Sequence, residues 1–248
     1  IYELIDKNDT ILKFFYDAQG GKVWSEAKQD RVTISYEDWL SHHPVIFYKN
    51  SVGEYLVFTN DAYGIGAECG KPVIYLYPTQ PTKVSVKVGA DISVSEPSYG
   101  KGWNVLAKPD GSLFTNSGAR YDSLFWEGLG HGMYPNITSG FVVPQNEIKT
   151  ALQNQLSAQG LNQKESQDFM DFWLDKMPKT PYVRLTWFNT QLMDELAPLF
   201  VYPKPQTTIR VFLDFQGMQN FVNIPNQTLT APARQGFTLV EWGGLLKK

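Results

Sequence analysis

Two glutamates stand in the same local setting, each beside a tryptophan at the end of an apolar run and close to glycine. Glu127 follows Trp126, and Glu241 precedes Trp242. A carboxyl group against an indole loses hydration, which suits it to general acid catalysis, while a second and wetter carboxylate can act as base or nucleophile. Glycoside hydrolysis uses such a pair, separated by about 5 Å for retention or about 6.5 to 9.5 Å for inversion. Glu127 and Glu241 are therefore the first candidates for a catalytic pair.

The same two residues also have a structural interpretation. Buried carboxylates are usually paired, so each glutamate could instead bind an arginine such as Arg184 or Arg210, or accept hydrogen bonds from backbone amides in a tight turn. The sequence alone leaves both interpretations open.

Cys69, the only cysteine in the chain, is the second candidate nucleophile. A thiolate needs a base nearby, and His131, in the glycine-rich loop after Glu127, could complete a set of Cys, His and Glu. The alternative is that Cys69 is a small buried residue at the start of a strand. A single cysteine excludes a disulfide within the chain.

A set of aromatic residues could bind a substrate, because such rings stack on sugars. Strand aromatics are also common core residues, and this second interpretation stays open. The candidate substrate-binding residues are Tyr75, Tyr77, Trp126, Trp242 and the charged Arg210.

Several other kinds of chemistry have no support in the sequence. His42 and His43 are adjacent and would point to opposite faces of a strand, so we expect no metal site. The chain has no P-loop, no dinucleotide-binding fingerprint and no serine elbow, so we expect no cofactor. The net charge of -3 and the absence of a basic run argue against nucleic acid as a partner. No apolar stretch reaches the roughly 20 residues that a membrane span needs.

The elements that must position these residues are mainly strands. Residues 69–78 predict a buried strand, and residues 82–88 alternate apolar and polar side chains as a half-buried strand does. Residues 145–177 predict two helices, and Asn162 followed by Glu165 resembles a capping box at the start of the second. Residues 109–111, Pro-Asp-Gly, predict a turn between strands. We therefore expect an α+β fold, with a mainly antiparallel β-sheet or sandwich and an inserted pair of helices packed on one face.

The pattern also predicts the domain organisation and the shorter strands. Residues 1–66 form an N-terminal α/β entry segment with a hairpin, and residues 67–248 form the main β-rich domain. Further strands are expected at 91–96, 103–108, 112–115, 121–127, 182–188, 207–215, 219–224 and 237–242.

Over roughly residues 44–244 the chain resembles a family of uncharacterised bacterial proteins from Gram-positive gut bacteria and small-genome candidate phyla, and five stretches in matching order carry the resemblance. The family's members are mostly expected to be secreted or surface-attached, so the resemblance implies bacterial origin and export but no particular reaction. Some relatives carry Cys at the position of Val142, which implies a disulfide there to the counterpart of Cys69. The five stretches are residues 69–78, 121–128, 140–143, 203–211 and 236–244.

Two main hypotheses of function follow. In the first, the protein is an exported hydrolase acting on glycan or cell-wall material through paired carboxylates, with Cys69 as an alternative nucleophile. In the second, it is a non-catalytic surface module that binds an extracellular glycan or protein; a Lys to Asn isopeptide crosslink belongs to the same structural class. We expect an extracellular or cell-surface location, with any signal segment lying before Ile1.

Overall fold

The computed structural model describes residues 6–18, 21–25, 30–59, 68–130, 135 and 137–246. Its helices are α1 (Thr10–Ala18), α2 (Tyr36–Ser41), α3 (Ile148–Ala158), α4 (Gln163–Trp173) and α5 (Thr190–Leu196). Its strands are β1 (Lys22–Ser25), β2 (Asp30–Thr33), β3 (Val45–Lys49), β4 (Tyr55–Thr59), β5 (Glu68–Tyr77), β6 (Thr82–Val88), β7 (Asp91–Glu96), β8 (Trp103–Ala107), β9 (Leu113–Thr115), β10 (Arg120–Tyr121), β11 (Leu124–Leu129), β12 (Phe141–Pro144), β13 (Tyr182–Phe188), β14 (Leu199–Tyr202), β15 (Thr207–Met218) and β16 (Thr238–Leu246).

The chain divides into two compact units, one of residues 1–67 and 132–138 and the other of residues 68–131 and 139–248. In the first unit, β3 and β4 form the expected antiparallel hairpin. The Asn50 side chain closes its turn, because Oδ1 accepts hydrogen bonds from the amides of Val52 and Glu54. The core of this unit contains Leu12, Phe15, Trp39 and Val45.

The second unit is built on a seven-stranded sheet in the order β12-β13-β15-β16-β5-β11-β7. Strands β15 and β16 are parallel, and the other neighbouring pairs among the described strands of this sheet are antiparallel. A five-stranded antiparallel sheet, in the order β10-β9-β8-β6-β14, packs with it. The predicted α+β class with a mainly antiparallel sheet is confirmed.

Helices α3 and α4 cover one face of the seven-stranded sheet, which we call the helix side. Their apolar residues, including Leu152 and Phe169, share one core with alternate residues of the central strands, such as Tyr75, Val240 and Trp242. A capping box between Asn162 and Glu165 begins α4, as the sequence pattern predicts. The inserted helix pair is therefore confirmed.

Strand β5 carries an extra residue in the middle of the sheet. Three residues of β5, 70–72, lie opposite two residues of β11, 126–127, and the register with β16 also shifts between Trp242 and Gly244. Lys71 adopts φ 48°, in the left-handed region. The bulge therefore belongs to β5, and β11 keeps its regular alternation through Trp126 and Glu127.

Residues 219–237 connect β15 to β16 without forming a strand, so the predicted strand at 219–224 is wrong. Because β15 and β16 are parallel, the chain must return along the whole length of β15 before it begins β16. On the way, the Gln227 side chain pairs with the backbone of Trp187: Oε1 accepts from the Trp187 amide at 2.7 Å, and Nε2 donates to the Trp187 carbonyl at 2.8 Å.

Candidate functional site

Glu241 lies in a buried ion pair on the face of the sheet opposite the helices. Its side chain is 0% exposed, and Oε2 accepts a hydrogen bond from Nε of Arg210 at 2.7 Å. Oε1 accepts from Nε1 of Trp126 at 3.0 Å. Both carboxylate oxygens therefore have strong donors, which matches the structural interpretation of this residue.

Glu127 lies on the other face of the same sheet. Its neighbour Trp126 reaches Glu241, and Phe125 packs against the helix-side core. Because successive side chains of a strand point to opposite faces, Glu127 shares the helix side with Phe125. The structure therefore does not bring Glu127 and Glu241 together. Arg184, the other arginine considered, binds Asp214 at 2.6 Å.

Cys69 is fully buried in β5, between Gly128 of β11 and Leu245 of β16. His131, its suggested base, lies outside the described residues. A substrate has no access to a thiol at the centre of a sheet in this conformation, so the structure adds no support for Cys69 as a nucleophile.

The disulfide implied for relatives does not fit this fold. Val142 lies in β12, and three strands separate β12 from β5. Four strand spacings place the two positions about 19 Å apart. A disulfide requires Cα atoms within about 7 Å of each other, so positions 69 and 142 cannot be bridged here.

The aromatic residues singled out in the sequence mostly belong to the core. Trp126, Tyr75 and Trp242 are no more than 2% exposed. The Tyr75 hydroxyl donates to Oδ2 of Asp168 at 2.8 Å and accepts from Nε1 of Trp242 at 3.1 Å. Burial, followed by the hydrogen bond to Asp168, raises the pKa of Tyr75 well above its ordinary value.

Tyr77 is only partly buried, near the start of α4. Burial and then the negative charge of Glu165 raise the pKa of its phenol. The Arg234 guanidinium lies 5.7 Å from the Tyr77 ring centroid and also binds Glu165. This arrangement ties the connection between β15 and β16, residues 219–237, to α4.

A cavity of about 600 Å³ lies along β14, at the edge of the five-stranded sheet. Two aromatic side chains beside it are strongly exposed, Phe200 at 62% and Tyr202 at 79%. We call this site the β14 cavity. It is lined by Ser85, Lys87, Asp194, Leu199, Phe200, Val201, Tyr202, Lys204, Pro205, Thr208 and Leu239.

The two exposed rings share one face of the sheet with polar side chains. Phe200 lies directly opposite Lys87, and Tyr202 lies directly opposite Ser85. Oγ of Ser85 donates to Oδ1 of Asn104 at 2.6 Å, on the next strand. Since opposite residues in an antiparallel pair have their side chains on the same face, rings and hydrogen-bonding groups form one continuous surface.

Arg210 connects the buried Glu241 to the wall of the β14 cavity. Its Nη1 donates to Oδ1 of Asp194 at 2.7 Å, and its Nη2 donates to the Ala197 carbonyl at 2.8 Å. Asp194 is 55% exposed, whereas the Arg210 side chain is 0% exposed. Arg210 therefore holds the end of α5 and the residues before β14 in place. Because the side chains of Arg210 and Glu241 are fully buried, neither can touch a ligand in the cavity.

The sequence did not predict five of the residues at this site, which are Asp194, Lys87, Lys204, Phe200 and Tyr202. Four apolar residues in a row, 199–202, gave no sign of which side chains face solvent. The prolines that follow are the available signal, because Pro is confined to edge strands and turns. An edge strand with two rings on its wet face is the feature that could have been inferred.

Within the described residues, no group of three or more His, Cys, Asp or Glu side chains could hold a metal ion. In the same part of the chain, no helix is long and apolar enough to cross a membrane.

Comparison of the chain with protein-family models, with curated proteins and with solved structures found no match. The resemblance described above therefore stays a prediction.

Proposed function

We propose that this protein is a glycan-binding module whose ligand lies along the β14 cavity. The observation that supports this is the pair of exposed rings, Phe200 and Tyr202, on the same face of an edge strand. A sugar ring has an apolar C–H face and a rim of hydroxyl groups. A flat aromatic ring beside polar groups complements both parts.

The dimensions and the lining of the cavity support the same proposal. Its volume lies within the roughly 300–1,000 Å³ range of ligand sites in proteins. Asp194 offers carboxylate oxygens to sugar hydroxyl groups, and Lys204 offers an ammonium group. Phe200 and Tyr202 lie two residues apart on one face, and two neighbouring exposed rings form a patch that marks a binding surface more often than a single exposed ring does.

The surroundings of the rings favour a glycan over a protein partner. The cores of protein interfaces are depleted of charged residues. Here Lys87 lies directly opposite Phe200, and Lys204 follows Tyr202 by two residues. Rings interleaved with charged and hydroxyl groups match a ligand that is polar along its whole length.

Hydrolysis by Glu127 and Glu241 is not the function we propose. The two side chains lie on opposite faces of one sheet, so no single glycosidic bond can lie between them. The Glu241 carboxylate is also bound by Arg210 and Trp126 in a site without solvent exposure. Using it as a proton donor would require breaking a buried ion pair.

We also propose that the protein works outside a bacterial cell or on its surface, where polysaccharides are the abundant ligands. Its low charged content of 19% and the resemblance to surface-attached bacterial proteins support this location.

The test is retention of the protein on immobilised polysaccharides, followed by titration calorimetry with soluble oligosaccharides of each polymer retained. The panel includes neutral hexose polymers, amino-sugar polymers and uronic acid polymers. Phe200→Ala and Tyr202→Ala should each weaken binding by about fivefold to thirtyfold, since truncating an anchoring ring costs more than about 1 kcal/mol.

Phe221→Ala is the matched control, because Phe221 is 58% exposed but contacts Tyr182 rather than the cavity. This variant should bind as the parent protein does. No binding to any polymer in the panel would refute the proposed function. Binding that both ring variants retain would place the glycan elsewhere on the surface.

A further inference from the structure

The β14 cavity carries more positive than negative charge, although the protein as a whole has a net charge of -3. Lys87 and Lys204 line the cavity, and neither has an ion-pair partner in the described part of the chain. Asp194, the carboxylate of the lining, binds Arg210, which also binds Glu241. The three cationic groups are the two lysines and Arg210, and the two anionic groups are Asp194 and Glu241, so the net charge is +1. The two unpaired lysines carry this excess.

The Lys87 side chain is held across the sheet. A Cβ atom added to Gly102 would lie 2.8 Å from Cγ and 3.5 Å from Cε of Lys87, so the lysine stem packs over a position that has no side chain. Gly102 adopts φ 123°, a conformation that favours glycine. Ordering the stem before a ligand arrives lowers the entropy cost of using its ammonium group.

The two rings lie along β14, and a lysine lies near each of them. Lys87 lies opposite Phe200, Tyr202 follows on the same face, and Lys204 comes two residues later. Alternate residues of a strand are about 7 Å apart. Two rings in a row, with one ammonium group beside Phe200 and another beyond Tyr202, therefore suit an extended chain of sugars better than a single small sugar.

From this arrangement we infer that the ligand is an acidic glycan, a polymer whose sugars carry carboxylate groups, as uronic acids do. The inference rests on the proposed glycan-binding function and specifies its ligand class. Single, separated ammonium groups match single carboxylates. A phosphate group is matched better by several donors together, such as an arginine fork or a helix N-terminus, and the lining residues of this cavity include neither.

The experiment compares each acidic polymer with its own carboxyl-reduced form, which keeps the sugar rings and the length but removes the charge. Polygalacturonate, alginate and hyaluronan are the probes. We expect the acidic form to bind at least about tenfold more tightly at low salt. The difference should vanish between about 0.01 M and about 1 M salt, over which the Debye length falls from about 30 Å to about 3 Å.

Lys87→Met and Lys204→Met remove one charge each and keep an apolar stem. Each should weaken binding of the acidic polymer by about threefold or more, and should weaken binding of the reduced polymer by a smaller factor. Lys83→Met is the control. Lys83 is exposed on β6, the strand of Lys87, but does not line the cavity. Phe200→Ala should weaken both forms of the polymer.

The outcomes separate the two proposals. Equal binding of the acidic and reduced forms, with loss of both in Phe200→Ala, would overturn the acidic ligand and leave the glycan-binding function standing. No binding of either form, to any of these probes or to the wider panel, would overturn both. Equal or tighter binding of poly-glutamate, or of a sugar-phosphate polymer, would also overturn the inference. Either result would mean that the protein recognises negative charge without needing a sugar carboxylate.

Discussion

Nε of Arg210 lies 2.7 Å from Oε2 of Glu241, and neither side chain is exposed to solvent. The pair joins neighbouring parallel strands at directly opposite positions. A second hydrogen bond, from Trp126, brings β11 into the same cluster. Three strands of the seven-stranded sheet therefore meet at one carboxylate, which explains why a glutamate stands in an otherwise apolar strand.

Replacing Glu241 by Gln should lower the free energy of unfolding by about 3 kcal/mol, because it removes the buried counter-charge of Arg210 and leaves only the half-exposed Asp194. Urea unfolding followed by tryptophan fluorescence measures the change. Glu127→Gln is the matched control and should change stability by less than about 0.5 kcal/mol, since Glu127 has no ion pair among the described residues. Similar stabilities of the two variants would contradict this account of Glu241.

Gly244 is required by packing, because a larger residue would meet helix α4. A Cβ atom at Gly244 would lie 2.5 Å from two ring carbons of Trp173, the last residue of α4. Gly244→Ala should therefore destabilise the protein by about 1–3 kcal/mol, as overpacking does. Thermal unfolding measures the loss.

The cause can be checked with a second substitution. Trp173→Leu, which removes the ring that the new methyl group meets, should make the added cost of Gly244→Ala much smaller in the double variant than in the parent protein. An undiminished cost would show that the glycine is needed for backbone reasons instead.

The raised pKa of Tyr75 should make the free energy of unfolding depend on pH in alkaline solution. The folded protein holds the phenol protonated because burial raises its pKa, whereas the unfolded chain ionises near pH 10. Above that pH the unfolded state binds fewer protons, so stability falls as the pH rises, while below it the contribution is fully present. Tyr77 acts in the same direction.

Tyr75→Phe should therefore show a shallower loss of stability above about pH 10 than the parent protein. At neutral pH it should be less stable by about 1–3 kcal/mol, because Nε1 of Trp242 loses its buried acceptor. Urea midpoints between about pH 7 and pH 11 give both quantities. Parallel curves for the two proteins would mean that Tyr75 does not titrate differently in the folded and unfolded states.

The sequence predicts local structure well wherever local forces decide it. The hairpin of β3 and β4, the capping box of α4 and the turn at Asp110 and Gly111 each depend on residues within a few positions of one another. In that turn, Oδ1 of Asp110 accepts from the amide of Ser112, and Gly111 adopts φ 86°.

The features that the sequence does not predict are those set by the order of strands in the sheets. Trp126 and Glu127 are adjacent in the chain, yet only the pairing of β11 with β5, and of β5 with β16, decides which of them meets Glu241. The strand expected at 219–224 fails for the same reason, because nothing local shows that β15 and β16 are parallel. The exposed face of β14 is likewise set by its place at a sheet edge.

The side chain of Gln227 has a consequence for the behaviour of the protein in concentrated solution. Strand β12 pairs with residues 182–185 of β13 and goes no further, so the backbone of Trp187 lies beyond the end of its neighbour. Unpaired strand backbone is a template for another molecule's strand. Gln227 occupies both the donor and the acceptor of Trp187. One amide side chain thereby protects this edge from intermolecular strand pairing and aggregation.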